Sequence, residues 1–388
     1  MNNRREFLKS LALLGAAASL PVHNLLAQDV TLPKPIGEGL TTISYAKEIR
    51  KPNTPRKITI PDVGEYKVLK GDFHMHTLFS DGHVMPRDRV LEAVGNGFDV
   101  IAITDHIEYR PNIGGANLKL ADKNDDYNNT YNFAQAEAEK NNLILVRGAE
   151  ITKSEWHFNA LFLKDVNPLA AVVNDWRAML AAAVDQGGFV HWNHPNWIDR
   201  TPDAAPFGLK NGEPLRFFDE IEEVRAKGHV HGVEVFNGSS FYPIVLDWCN
   251  ERSLASVANS DIHVSEWNQY GYQNLQRPMT LILAQERSLD SIREAFFARR
   301  VVGWAANMIL GQAPYVGGLF QSCVEIKKRA GGAALQNRSD IPCIIEAEGK
   351  VSELPPQGAV DITFSASAKT LTVLNWFVGM NKPLEVVL

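Results

Sequence analysis

The sequence predicts an α/β barrel or parallel sheet followed by a small all-β module. Short apolar runs alternate with helical segments from about residue 66 to residue 304, and helical periodicity is lost after residue 317. Alternating strands and helices are typical of parallel sheets and barrels, whereas short runs between turn residues are typical of β-sandwiches. Clusters of His, Asp and Glu follow successive predicted strands, where barrel enzymes carry their catalytic residues, and this favours the barrel.

The length and composition are those of a globular protein with room for two domains. The chain has 388 residues, of which 45% are hydrophobic. Its net charge of −6 argues against a general nucleic-acid-binding surface, so we expect no nucleic-acid partner. Three cysteines (Cys249, Cys323 and Cys343) do not form a disulfide framework. Cys323 and Cys343 could pair in an oxidising compartment, but we favour buried free thiols.

Residues 1–27 resemble a twin-arginine export signal. Arg4 and Arg5 precede a short apolar run at 11–20, which is shorter than the roughly 20 residues that a membrane span needs. Cleavage after Ala27 would leave no cysteine for a lipid, so we expect no stable membrane anchor. The twin-arginine translocation machinery is therefore an expected partner, and the expected location is periplasmic or secreted. The alternative is an N-terminal helix that carries two arginines.

The elements are predicted in the following order along the chain. Residues 28–65 are an extended lead-in, 66–310 form the barrel, and 317–388 form the all-β domain. Strands are predicted at 66–70, 100–103, 143–146, 188–190, 232–236 and 279–283 in the barrel, and at 343–347 and 371–374 after it. Helices are predicted at 86–96, 128–141, 169–186, 215–227, 241–252 and 288–300, and loops at 327–339 and 352–358.

Five motifs at the predicted strand ends carry candidate metal ligands. They are His74-x-His76 with Asp81, Asp105-His106, Glu150 with His157, His191-x-x-His194, and Asp261-x-His263. Side chains at i and i+2 of a strand point the same way, so His74 and His76 can bind one ion. Each motif alone is more often polar surface than a ligand pair. Imidazoles and carboxylates together suit divalent zinc, manganese or iron.

In this order the motifs resemble the signature of the PHP (polymerase and histidinol phosphatase) family, over about residues 66 to 305. The resemblance implies a distorted (β/α)7 barrel with up to three divalent metal ions at its mouth, here followed by a sandwich-like β domain. It also implies phosphate ester hydrolysis by a metal-bridged hydroxide in a trinuclear site. With its export signal and β domain, the chain is similar to exported PHP phosphodiesterases.

The resemblance also implies three overlapping metal sites. Their ligands would be His74, His76, Glu150 and Asp261 for the first, Glu150, His157 and His194 for the second, and Asp81, His106 and His263 for the third. Trp156 precedes His157 where the family often has glycine, which leaves Glu155 as a substitute ligand.

Two further residues are candidates for roles in catalysis. His191 is a candidate general acid, with a core or orienting histidine as the alternative. Arg110 is a candidate phosphate-binding residue, and Arg87 is its alternative. We expect a small-molecule phosphate ester as substrate, and favour a phosphodiester because the motifs carry few Lys or Arg. The alternatives are a phosphomonoesterase and a module that keeps metal only to bind a phosphate-bearing ligand.

Overall fold

The computed structural model describes residues 56–112, 126–152, 156–195 and 215–388. The export signal predicted at 1–27, most of the lead-in and the substitute ligand Glu155 lie outside these ranges. Within them the predicted fold class is confirmed, since an α/β barrel precedes an antiparallel all-β domain.

The barrel strands are short and mostly buried on both faces. They are β1 (Lys67–Asp72), β2 (Val100–Ile103), β3 (Ile144–Ile151), β4 (Phe158–Leu161), β5 (Phe189–Trp192), β6 (Gly232–Asn237), β7 (Ser240–Phe241), β8 (Ala255–Asn259), β9 (Met279–Ala284), β10 (Val301–Ala305) and β11 (Met308–Gly311). Continuous burial along β2, β5, β6 and β8 is the pattern of parallel strands covered on both sides.

The barrel is distorted because its strands do not all run in the same direction. Parallel ladders join β1 to β2, β2 to β3, β5 to β6 and β6 to β8. By contrast, β4 is antiparallel to β3 and β5, and β9 is antiparallel to β1. On the closing side, the Thr280 hydroxyl donates to the Ala258 carbonyl at 2.9 Å and accepts from the Ala258 amide at 3.0 Å. This side-chain bridge joins β8 to β9.

Most of the helices cover the outside of the barrel. They are α1 (Pro86–Asn96), α2 (Asn129–Lys140), α3 (Asn167–Ala171), α4 (Trp176–Asp185), α5 (Asp219–Ala226), α6 (Ile244–Arg252), α7 (Glu266–Gln269) and α8 (Leu289–Phe297), with a 3₁₀ turn at Gly271–Gln273. The helix predicted at 86–96 is confirmed. It starts on Pro86 and ends before Gly97, whose φ of 79° suits glycine. The single helix predicted at 169–186 is wrong, because Asp175 caps a new helix by accepting from the amides of Arg177 and Ala178.

The C-terminal domain consists of helix α9 (Ala313–Cys323) and two antiparallel sheets. The strands are β12 (Val324–Arg329), β13 (Gly332–Asn337), β14 (Cys343–Ala347), β15 (Lys350–Leu354), β16 (Ala359–Thr363), β17 (Thr370–Gly379) and β18 (Lys382–Val387). One sheet contains β12, β13 and β16, and the other contains β14, β15, β17 and β18. Leu335 from the first sheet and Val373 from the second belong to one buried cluster, as in a sandwich.

A parallel pairing joins this domain to the barrel. In it, β11 pairs with β17, with Ile309 opposite Trp376 and Leu310 opposite Phe377. The side chain of Asn375 also donates to the Asn307 carbonyl, at the tip of the β10–β11 turn, at 2.6 Å. The second sheet of the domain is therefore a continuation of the barrel sheet.

Two sequence predictions for this region are wrong. The loop predicted at 327–339 is a hairpin of β12 and β13, and β15 occupies the first part of the loop predicted at 352–358. Lys327, Lys328 and Arg329 are exposed on an edge strand, where charged residues are common. Three charged residues in a row interrupt the alternation of apolar and polar residues by which a strand is predicted. The three cysteines are buried free thiols, and burial raises the pKa of Cys323 to about 11. No helix in the described part of the chain is long and apolar enough to span a membrane.

Candidate metal centre

The nine predicted metal ligands meet in one cluster at the carboxyl ends of the barrel strands. His74 and His76 follow β1, and His106 follows β2. The remaining ligands lie at β3 (Glu150), before β4 (His157), after β5 (His194), after β8 (Asp261 and His263), and in the loop after β1 (Asp81). The fold thus brings together side chains from almost 190 positions of sequence.

Glu150 lies at the centre of the cluster and is fully buried. Its carboxylate oxygens face ring nitrogens at 3.1 to 3.7 Å in five histidines, which are His74, His76, His106, His157 and His194. A carboxylate in this position can bridge two cations, which is the role that the family resemblance implies for Glu150.

Two aspartates extend the cluster on either side of His76. Asp261 Oδ1 lies 3.1 Å from Nε2 of both His74 and His76. Asp81 lies 3.5 Å from His76, 3.4 Å from His106 and 3.3 Å from His263. Asp261 has a φ of 50°, a strained conformation for a residue other than glycine, and its amide donates to the His74 carbonyl at 2.8 Å.

The ligand atoms converge as four overlapping groups, each with spacing suited to an ion. These groups are His76, Asp81, His106 and His263; His74, His194 and Asp261; His74, His76 and Glu150; and Glu150, His157 and His194. The second expected set, Glu150, His157 and His194, forms one group, and His76 joins the group expected for the third site. The first expected set is divided, because Asp261 groups with His74 and His194 rather than with His76 and Glu150.

The cluster fits divalent cations by its donor chemistry. Nε2 of His76 and Nδ1 of His106 are buried and have no hydrogen-bond partner among the described residues, although carboxylate oxygens lie 3.1 and 3.3 Å away. Ring nitrogens that face carboxylates without bonding them are placed as ligands around a shared ion. Imidazole and carboxylate donors suit zinc, manganese and iron.

The electrostatics of the cluster also call for positive charge. Burial opposes ionisation of Glu150 and Asp261, but the surrounding histidines outweigh it and hold both pKa values well below the usual range. Burial likewise opposes protonation of His76, but Asp261 and Glu150 raise its pKa to about 10. The carboxylates thus remain charged and are balanced by the histidines, and divalent cations bound there would supply this positive charge instead.

Glu234 is a functional residue that sequence reasoning missed. It is fully buried on β6, and one of its oxygens lies 2.8 Å from Nδ1 of His74. It also accepts from the His194 amide at 2.7 Å, from Asn237 at 2.8 Å and from Asn259 at 2.9 Å. A carboxylate on the far nitrogen of a ligand histidine fixes its tautomer and ring orientation. The sequence feature that could have identified Glu234 is its position as a single charged residue inside a predicted apolar strand.

A buried ion pair supports the base of the site. Asp72, at the end of β1, lies 2.7 Å from Nη2 of Arg277, and both side chains are fully buried. Asp72 Oδ1 also accepts from the amides of His74 at 3.3 Å and Ser260 at 3.2 Å. The pair therefore joins the segments that carry His74 and Asp261.

The structure places His191 beneath the metal cluster rather than beside the open cavity. The residue is fully buried on β5, with Nε2 3.8 Å from Glu234 and 3.4 Å from Nδ2 of Asn259. Burial lowers the pKa of His191. This position suits the alternative of an orienting histidine and does not suit a proton donor to a leaving group.

The two candidate phosphate-binding arginines lie away from the cavity. Arg110 donates to the Phe79 carbonyl at 2.9 Å and stacks over the Tyr127 ring, with 4.6 Å between the guanidinium carbon and the ring centroid. Arg87 is largely exposed and pairs with Glu137 at 3.0 Å. Neither lines the cavity above the metal cluster.

An open cavity of about 1850 Å³ lies above the cluster. Seven predicted ligands line it, namely Asp81, His106, Glu150, His157, His194, Asp261 and His263. Its other walls come from 236–242, from 266–278 and from the β10–β11 turn. Arg56 is the one arginine or lysine among the described residues that line it. The described part of the cavity wall therefore offers little positive charge.

Comparison with known proteins identifies the family. The PHP domain matches residues 72–309. A crystal structure from Bacteroides vulgatus, described as a two-domain protein containing a predicted PHP-like metal-dependent phosphoesterase, is similar to the chain with 31% identity and a TM-score of 0.76. The match covers 87% of this chain and 99% of that one. The chain belongs to the PHP family, whose members include metal-dependent phosphoesterases, and the expected resemblance is confirmed.

Two further solved structures are similar to this chain at low identity. A lesion-specific endonuclease from Pyrococcus furiosus has 13% identity and a TM-score of 0.41, with 68% of this chain and 62% of that one covered. An amidohydrolase from Chromobacterium violaceum has 14% identity and a TM-score of 0.36, with 50% of this chain and 88% of that one covered. Among curated proteins, no significant match is found.

Proposed function

We propose that this protein is a phosphodiesterase that uses up to three divalent cations held by the nine clustered residues. The observation that carries the preference for diesters is the scarcity of cationic side chains. A phosphomonoester carries up to two negative charges and a diester carries one, so a monoesterase needs more positive charge around the phosphate. Arg56 is the sole arginine or lysine among the described lining residues.

The chain's own residues hold and orient the site. Glu150 lies between the histidine groups and would bridge two cations, while Asp81 and Asp261 would complete the sets on either side. Glu234 fixes the ring of His74, and the fixed ligand geometry reduces the reorganisation needed when substrate binds. Divalent cations held there would supply Lewis-acid polarisation of the phosphoryl group and activation of a water.

The test is a paired assay on purified protein with elemental analysis of the same sample. Bis(p-nitrophenyl) phosphate and p-nitrophenyl phosphate are compared for wild type, for Glu150→Gln and for Glu353→Gln. The last variant is a matched control, because Glu353 is an exposed glutamate on β15. We expect about three metal ions per chain, diester turnover well above monoester turnover, and loss of both metal and turnover in Glu150→Gln alone.

Other outcomes would change the proposal in defined ways. Faster monoester turnover would support a phosphomonoesterase. Full metal content without turnover of either ester would support a module that binds a phosphate-bearing ligand.

We also propose export by the twin-arginine route, supported by Arg4, Arg5 and the apolar run at 11–20. Cell fractionation of wild type and an Arg4→Lys/Arg5→Lys variant tests it. Retention of the variant in the cytoplasm supports the proposal, and equal export of both proteins contradicts it.

A further inference from the structure

The cavity that lies above the ligand cluster is lined by several amide side chains. Four of them come from two segments, and we call these four the amide arc. They are Gln273, Asn274 and Gln276 before β9, and Asn307 in the β10–β11 turn.

The side chains of the amide arc have few hydrogen-bond partners among the described residues, and Gln273, Asn274 and Asn307 are exposed. The side chains of Gln273, Asn274 and Asn307 form no hydrogen bond with any described residue. Gln276 accepts from Arg56 at 3.1 Å through Oε1, while its Nε2 is buried and unpartnered among the described residues. Each amide can both donate and accept, so the arc presents paired donors and acceptors to whatever occupies the cavity.

The described part of the remaining wall disfavours several kinds of occupant. A second anionic group would need cations, but Arg56 is the one arginine or lysine among the described lining residues, which also include Glu108 and Glu266. A quaternary ammonium group would need several exposed aromatic faces. Of the aromatic residues that line the wall, Tyr109 is 56% exposed, whereas Tyr242 and Tyr270 are buried.

An acyl chain is also a poor fit. Leu275, which is 54% exposed, is the one large aliphatic side chain among the exposed described residues of the wall. A long apolar group would therefore contact mainly amides and hydroxyls, including Ser239 and Ser240, and would leave them without hydrogen bonds.

We propose that the amide arc recognises a neutral polyhydroxylated alcohol, such as a sugar or polyol, in a phosphodiester that is hydrolysed at the ligand cluster. This inference rests on the proposed phosphodiesterase function and names its substrate class. Hydroxyl groups both donate and accept, as the amides do, and Tyr109 offers one ring face beside the ligand His106, with centroids 5.8 Å apart. Sugars pair with protein amides and a single aromatic face in this way because their hydroxyls need partners and their C–H faces are apolar.

The test compares phosphodiesters that share p-nitrophenol as leaving group and differ in the other alcohol. The alcohols are methanol, myo-inositol, choline and thymidine. We expect kcat/KM for the inositol diester to exceed that for the methyl diester by about tenfold or more, since one or two net hydrogen bonds suffice for this factor. The choline diester should show no such gain.

Two double variants separate recognition from chemistry. In Gln273→Ala/Asn274→Ala, the ratio of kcat/KM for the inositol diester to that for the methyl diester should fall about tenfold, mostly through KM. The control Asn132→Ala/Gln135→Ala removes the same two amides from the exposed face of α2 and should leave the ratio unchanged.

Failure of this inference is distinguishable from failure of the proposed function. Absence of turnover with every diester, bis(p-nitrophenyl) phosphate included, would refute the phosphodiesterase. Turnover of the methyl diester with no preference for inositol, or with a ratio that the amide variant leaves unchanged, would refute the polyol site alone. A preference for the thymidine or choline diester would overturn it in favour of that occupant.

Discussion

Glu234→Gln tests whether the buried carboxylate behind His74 orients the metal ligand. The substitution keeps the size and shape of the side chain and replaces one acceptor oxygen with an NH₂ donor. The four groups around Glu234 are donors, since they are the His194 amide, the amides of Asn237 and Asn259, and Nδ1 of His74 whenever Nε2 faces the cluster. A glutamine NH₂ group must therefore point at another donor.

The expected losses of folding stability and of metal affinity follow from this contact between two donors. One unsatisfied buried donor costs about 1–3 kcal/mol of folding free energy. Loss of a carboxylate partner behind a ligand histidine typically lowers metal affinity or activity by about 10 to 100-fold. We therefore expect Glu234→Gln to fold, with a lower free energy of unfolding, and to retain its metals only at lower chelator concentrations than wild type.

The measurement is metal content by elemental analysis after dialysis against graded chelator, together with turnover of bis(p-nitrophenyl) phosphate. Glu353→Gln makes the same chemical change at an exposed position and should match wild type in both. Unchanged chelator resistance and turnover in a folded Glu234→Gln protein would refute the orienting role.

Three further predictions concern stability and are checked by urea denaturation. Asp72→Asn and Arg277→Met each leave one buried charge unpaired and should each lower the free energy of unfolding by about 3–5 kcal/mol, whereas the double variant should recover part of the loss. Burial lowers the pKa of His231 to about 4, so as pH falls below about 6.5 the unfolded chain takes up a proton that the folded chain does not. Folded stability should then drop by about 1–2 kcal/mol more in wild type than in His231→Gln between pH 7 and pH 5, and parallel curves would contradict this. Asn375→Ala removes the bonds that its side chain donates to the Asn307 and Pro342 carbonyls and accepts from the Ile344 amide, and should cost about 1–3 kcal/mol, and an unchanged midpoint would show that these bonds together contribute little.

The convergence of the nine ligand candidates could be predicted from the sequence, because they come from short motifs that follow apolar strands, and their role as metal ligands stays a prediction. His74 and Glu150 are far apart in the chain, yet a barrel brings the carboxyl ends of its strands to one mouth. The helix at 86–96 was also predictable, because Pro86 and Gly97 mark its two ends. The limits of the two domains stay predictions.

Other features depend on long-range contacts that local patterns do not carry. Whether Glu234 is exposed or buried is decided by its partners His74 and Asn259, which lie on other strands. His191 and Arg110 were reasonable candidates for catalytic roles by their positions in the sequence. In the structure, the His191 side chain is buried in the barrel and the Arg110 side chain donates to a backbone carbonyl. The amides of the cavity wall form no motif, since three lie in one irregular segment and the fourth, Asn307, in a distant turn.

The pairing of β11 with β17 affects whether the barrel can be produced without the C-terminal domain. Without β17, the barrel would end in an open edge strand whose unpaired amides and carbonyls include those of Ile309 and Leu310. Exposed edges of this kind are templates for intermolecular pairing and aggregation. The barrel expressed without the last strands would thus expose an edge strand that can pair with other chains. In the whole protein, the C-terminal domain protects this edge. Since β11 is translated well before β17, the same edge is also open on the nascent chain until synthesis of β17 is complete.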